Sequence, residues 1–268
     1  MNYVRTRLEE PQTLFIEELQ RSFEINAERL ILVLFACGQG SNQFIIFYFH
    51  TEDTIMRDAN QKKIDTILCH NLVNSLEKRW IKGYYAETKE DALKIALELI
   101  PEGSSIGYGG SMTLDEIGLK TALDNEHYNL IRRELAKTPE ETREKYIEIY
   151  GSDVYITSAN AVSEDGIIVN IDGTGNRVSA ISYGPRKVIF IVGVNKITKD
   201  FESAMHRARN VAAPINCARF DLDTPCQTLG SCANCLNPKT ICSEFLVTRC
   251  NKQPDRMHVI VVNDELGY

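Results

Sequence analysis

The sequence predicts an α/β domain with three layers: a mostly parallel sheet with helices on both faces. Two observations carry this. From Met56 onward, segments of helical period alternate with short apolar runs. The 268 residues, 43% hydrophobic and 25% charged, suffice for one large α/β core.

Residues 1–55 have a different texture. A charged, helical-looking stretch from Leu14 to Leu30 leads into "LILVLFACG" (30–38), the break "GQGSNQ", and "FIIFYF" (44–49). Two short apolar runs around a Gly/Ser/Asn break predict a β-hairpin. Each run is far shorter than the roughly 20 residues a membrane span needs, so none is expected. Met56 opens the regular pattern, and two readings stand: 1–55 is an extension upstream of a natural start, or a small N-terminal subdomain. The domain proper is then 56–268.

Ile64, Leu68, Leu72, Val73 and Leu76 keep helical spacing and predict a helix over 57–80. "GYYAE" (83–87) predicts a strand. Thr88, with Asp91 three residues on, predicts a capped helix over 89–100, ending at Pro101. "SSIGYGG" (104–110) predicts a strand, Ser111 the cap of a helix at about 112–123, and "YNLI" (128–131) another strand. "TPEETREKYIEIYG" has Thr at the N-cap, Pro at the first helical position, Glu two residues on and Gly at the end, a helix signature. Strands follow at 153–158, 166–171 and 187–193, then a helix at about 199–212 ending before Pro214. "EFLVTR" (244–249) and "MHVIVVND" (257–264) predict terminal strands.

The net charge of −7 excludes a general nucleic-acid binder, which needs a basic surface, but leaves room for a local pocket for an anionic metabolite. No secretory signal is found, so a cytoplasmic location with reduced thiols is expected and disulfides are disfavoured.

Two loops suit an anion. Gly107, Gly109 and Gly110 lie where a strand runs into the helix that Ser111 opens, and glycines let backbone N–H groups approach a ligand. Asp172, Gly173, Thr174, Gly175, Asn176 and Arg177 place a carboxylate, an amide and a guanidinium within six residues. Arg177 can fork onto a carboxylate or phosphate, or be tied to Asp172 as an internal ion pair. Both readings stand. For catalysis only Glu116 emerges, on the first turn after the Gly-rich loop. The five histidines read as structural or solvated, and no triad or zinc-protease signature occurs.

The ordered motifs "GYGGSMTLDEIGL", "SANAVSEDGIIVNIDGTGNRV", "GPRKVIFIVGVNKI", "RNVAAPIN" and the terminal cysteines resemble the LUD (lactate-utilisation) domain family. The similarity is to its short, single-domain members with a cysteine-rich end, and covers about Met56 to Tyr268. The resemblance implies the fold shared with ribose-phosphate isomerases, CoA transferases and folate cyclo-ligases. It marks Gly109, Gly110, Ser111, Met112 and Thr113 as ligand-binding, with Asn160, Asp165 and Gly166. It also marks Asp172, Gly173, Gly175, Asn176, Arg177, Asn195 and Lys196. It further implies a part in an iron–sulfur system oxidising lactate or a related 2-hydroxyacid, with redox protein partners.

Cys226, Cys232, Cys235 and Cys242 follow C-x5-C-x2-C-x6-C. The inner C-x2-C lets two thiolates reach one metal, and a flanking cysteine on each side completes four sulfurs. Zinc and an iron–sulfur cluster (4Fe-4S) both accept that set; redox thiols and buried thiols are the remaining readings. Cys37, Cys69, Cys217 and Cys250 read as lone small hydrophobes. Rival functions are a non-redox binding or regulatory protein with structural zinc, and an isomerase- or transferase-like enzyme.

Overall fold

The structure, a computed structural model, describes residues 58–268 throughout and, before them, the backbone of three strands: β1 (Tyr3–Arg7), β2 (Leu30–Ala36) and β3 (Gln43–His50). The chain divides into two compact units, Met1–Asp58 and Ala59–Tyr268. In the first, β2 and β3 pair antiparallel with Ala36 opposite Phe44, as the two apolar runs predict, and β1 takes the other edge of β3. The helical-looking stretch from Leu14, Cys37 and Met56, the start in one of the two readings, fall outside the described residues.

The second unit begins with α1 (Ala59–Lys78), β4 (Lys82–Ala86), α2 (Lys89–Leu99), β5 (Ser105–Tyr108), α3 (Met112–Glu116), α4 (Leu119–Leu123) and β6 (Asn129–Leu130). It continues with α5 (Pro139–Tyr150), β7 (Val154–Thr157), β8 (Ala161–Ser163), β9 (Ile168–Asp172), α6 (Asn176–Ser182), β10 (Lys187–Gly193) and β11 (Ile197–Thr198). Last come α7 (Phe201–Arg207), α8 (Ala213–Arg219), α9 (Pro225–Leu229), β12 (Glu244–Thr248) and β13 (Met257–Val262).

Six strands form the main sheet in the order β4-β13-β10-β7-β5-β6, every pair parallel. Period-2 alternation divides its side chains between two cores. Tyr155, Phe190, Val192, Val259 and Val261 meet Leu72 and Leu76 of α1 on one face. Ile156, Ile189, Ile191 and Ile260 meet Ala92 and Ala96 of α2 and Leu114 of α3 on the other. Both faces are covered, so the strands are apolar along nearly their whole length, which is why β10 and β13 stand out in the sequence. On α1 the buried stripe is Asp65, Cys69, Leu72 and Leu76, and Ile64 lies outside it, 59% exposed.

The caps form as expected. Thr88 accepts from the backbone N–H of Asp91 at 3.1 Å, and Thr138 from that of Glu141 at 3.1 Å. Three expectations are corrected. Ser111 makes no side-chain cap bond, and the helix expected at 112–123 breaks into α3 and α4 at Gly118, which takes a left-handed φ of 71°. Pro214 does not end its helix. The helix runs on from α7 through a π-turn at Ala208–Ala212 into α8, with Pro214 in the first turn after it. Finally, 166–171 and 244–249 leave the main sheet. The Asp165–Gly166 turn, with Gly166 at φ 89°, reverses β8 into β9, and β12 adds antiparallel to β9; with β11 they make a second sheet, β11-β8-β9-β12. Among the described residues no helix is long and apolar enough to cross a membrane.

Candidate functional site

At the carboxyl ends of β5, β7 and β9 lies an open cleft of about 300 Å³. Gly110 lines it after β5, Tyr146 from α5, Asp172 to Thr174, Asn176 and Arg177 after β9, and Asn216 and Arg219 from α8. A larger hollow of about 520 Å³ sits at the opposite, amino ends of the strands, between Glu102, Asp153, Lys187 and Asp255. Its charges pair with neighbours, Arg186 with Asp153 at 3.8 Å and Lys82 with Asp255 at 2.6 Å. Ligands of open parallel sheets gather at carboxyl ends, and the smaller cleft has that position.

Its charge is unbalanced. Arg133, Arg177 and Arg219 face it with one carboxylate, Asp172, and none of the three makes a salt bridge among the described residues. Asp172 is occupied by backbone: it accepts from Gly173 at 2.9 Å, Arg177 at 2.7 Å and Val178 at 3.1 Å, tying down the start of α6. The Arg177 guanidinium donates instead to Asn160 Oδ1 at 2.9 Å and to the Ile171 carbonyl. Burial lowers its pKa, against the pull of Asp172.

Arg133 donates to the Tyr146 hydroxyl and lies 5.6 Å from its ring. Arg219 stacks on Phe220 at 4.3 Å. Both reach Gly110: a Cβ there would stand 3.1 Å from Arg133 Nη2 and 4.0 Å from Arg219 Nη2. Behind it, a Cβ on Gly109 would meet Thr157 Oγ1 at 3.1 Å and the Tyr155 hydroxyl at 3.2 Å, so glycine keeps this wall thin.

A buried polar cluster around Lys196 adjoins the cleft. Asn195 and Lys196 follow β10 in a tight turn, and Lys196 is 2% exposed. Its Nζ lies 2.9 Å from Ser158 Oγ and 3.1 Å from Thr113 Oγ1. Burial lowers its pKa to about 7; Arg207 and, less, Arg177 act the same way, and Glu116 opposes them. Arg207 links this cluster to the cleft, donating to the carbonyls of Asn195 at 2.9 Å and Asn160 at 2.6 Å. The segment after β13 packs over this cluster. Glu116 accepts from Gly267 N at 2.8 Å, Asn195 donates to the Gly267 carbonyl at 3.1 Å, and Leu266 N donates to Asn195 Oδ1 at 3.2 Å.

Gly110, Asn160, Asp172, Gly173, Asn176 and Arg177 thus share the cleft, with Gly109 behind it and Gly175 at the start of α6. Thr113 bonds Lys196, and Glu116 and Asn195 are joined beside it through Gly267; Ser111 and Met112 open α3, half-buried. Asp165 and Gly166 lie apart: Asp165 pairs with Arg79 at 2.5 Å, and a Cβ on Gly166 would meet Ser75 backbone at 3.2 Å. Arg133, Tyr146, Asn216 and Arg219 are cleft residues that carry no local sequence signal.

Cys226 sits on α9, and Cys232, Cys235 and Cys242 belong to the segment after it, 230–243, without helix or strand, where Leu236 is 99% exposed. Burial raises the Cys242 thiol pKa, and Cys232, Cys226 and Cys235 all raise it further, so the four share one neighbourhood. Cys217 is not alone either: burial pushes its thiol up to about 11, and Cys226, in hydrogen-bond range, adds to this. Among the described residues no three His, Cys, Asp or Glu side chains are gathered closely enough to hold a metal ion. The donors suit zinc or an iron–sulfur cluster in kind and number. The segment also borders the cleft, since a Cβ on Gly173 would stand 3.1 Å from Ile241 Cα.

The crystal structure of a DUF162 family protein from Deinococcus radiodurans is similar at 15% identity and a TM-score of 0.44, over 74% of this chain and 98% of that one. No curated protein matches. The LUD domain model matches residues 69–262, well over half of the chain and every residue that lines the cleft. The chain therefore belongs to the LUD domain family.

Proposed function

We propose that this lactate-utilisation-like protein binds a small organic anion, L-lactate or a related 2-hydroxyacid, as one component of an iron–sulfur-dependent oxidation. The observation that carries the binding reading is the cleft in which Arg133 and Arg219 flank Gly110 without a carboxylate partner among the described residues. Guanidiniums left unpaired beside exposed backbone favour a bidentate anion, and carboxylate is the smallest that fits. Cys226, Cys232, Cys235 and Cys242 would hold the metal centre, which as a cluster supplies one-electron transfer to a redox partner. This chain's own residues bind and orient: Arg133 and Arg219 take the carboxylate, Arg177 holds Asn160 and the end of β9 in place, and Tyr146 fixes Arg133.

Calorimetric titration with L-lactate tests the binding, with inorganic phosphate as the competing anion. Lactate should bind, and Arg219→Ala should weaken it by about 1.5–3 kcal/mol. No heat from any small carboxylate, or unchanged affinity in Arg219→Ala, would sink the reading. Metal analysis after anaerobic purification tests the redox part: iron with visible absorbance supports it, and stoichiometric zinc replaces it by a non-redox role with a structural metal.

A further inference from the structure

Lys196 is a buried cation with no carboxylate in salt-bridge range among the described residues. Buried lysines kept for stability are normally paired with an acid. Here the near groups are two hydroxyls, and the charged residues that act on the amine are Arg207, Arg177 and Glu116, the last already bonded to Gly267. Ser158 uses its own hydroxyl proton on the Ile191 carbonyl at 2.7 Å, so it can only accept from Nζ. Lys196 thus points one N–H at Ser158 and another at Thr113. The neutral amine keeps its lone pair for the remaining tetrahedral direction.

The surface facing Nζ is the strap. A Cβ on Gly267 would stand 3.3 Å from Lys196 Nζ and 2.7 Å from Thr113 Oγ1, so only glycine lets the chain cross here. Its φ of 53° points the same way. Beyond it the Tyr268 ring lies 5.9 Å from the Arg219 guanidinium, which belongs to the cleft. The strap therefore runs from the amine to the anion cleft, held by three hydrogen bonds and the buried Leu266.

We propose that Lys196 is a nucleophile that captures the carbonyl carbon of a small 2-oxoacid as a reversible imine when residues 266–268 lift from it. The ε-amine adds to the carbonyl, forming a C–N bond while the π electrons go to oxygen. A proton moves from nitrogen to that oxygen, and loss of one water leaves C=N. Nothing is oxidised or reduced. Desolvation and nearby cations are the means by which lysines are made nucleophilic near neutrality, and both act on Lys196. The choice of a 2-oxoacid rests on the organic-anion reading above, because oxidation of a 2-hydroxyacid yields one.

The full chain is incubated at neutral pH with pyruvate and cyanoborohydride, digested, and mapped by mass spectrometry. The reduced adduct should form at Lys196 ahead of exposed lysines such as Lys199, whose side chain is 78% exposed. Gly267→Ala, which pushes the strap away, should speed labelling of Lys196 several-fold, and Lys196→Met should lose that adduct while keeping its circular dichroism. Label confined to exposed lysines, in wild type and in Gly267→Ala alike, overturns the proposal; equal rates at Lys196 in both overturn the strap. Trapping reads the amine and calorimetry reads the arginines, so one can fail without the other.

Discussion

Arg177 and Arg219 border one cleft under different constraints. Arg177 is bonded to Asn160 and Ile171, whereas Arg219 rests on Phe220 with its fork toward Gly110. Arg177→Ala should lower stability by about 1–3 kcal/mol, because the Ile171 carbonyl loses a donor. Arg219→Ala should leave chemical denaturation nearly unchanged; urea titration of both separates them. Lys196 gives a pH signature. Its proton is held to about 7 in the folded protein and to the ordinary 10.5 in the unfolded chain, which therefore binds more protons between these values. Stability from this residue rises with pH across that window, and its cost is complete below it. Lys196→Met should remove that rise and be the more stable protein below pH 7, as urea unfolding at several pH values would show. At this scale the sequence reveals the glycines, Asp172 and Arg177, because they cluster along the chain. Arg133, Tyr146 and Arg219 are invisible there, since only the packing of α5 and α8 brings such scattered residues to Gly110.

Helix α5 leans directly on β5. A Cβ on Gly107 would come within 2.7 Å of Ile149 Cγ2, closer than packed atoms stand. Gly107→Ala should destabilise by about 1–3 kcal/mol through overpacking. Because α5 carries Tyr146, which fixes Arg133, lactate affinity should fall as well; calorimetry and thermal melts on one variant test both. Elements whose ends are written in local chemistry were legible: Thr88 and Thr138 cap where caps were expected, and β10 has the predicted bounds. Elements decided by tertiary fit were not. The apolar runs at β9 and β12 look like those of the main sheet, and only the reversal at Gly166 sends them to another. Pro214 reads as a stop because the sequence does not show the π-turn that precedes it.

Across the whole unit, the parallel sheet is held by two cores, while residues 230–243 have neither helix, strand nor much buried apolar surface. If thiolate–metal bonds order that segment, Cys235→Ser should lose metal and become protease-sensitive within 224–243 while the rest of the unit resists digestion; limited proteolysis with metal analysis checks this. The contact between Gly173 and Ile241 then has a thermodynamic consequence. One wall of the cleft is built by the residue next to Cys242, so a metal-loaded loop and an anion-filled cleft would stabilise a common surface. Linkage makes such an effect reciprocal: whatever factor the metal adds to lactate affinity, lactate must add to metal affinity. Chelator competition with and without lactate should return that factor from one side, and lactate titration of metal-loaded and stripped protein the same factor from the other. A cell's supply of the anion would then tune how firmly this protein keeps its metal.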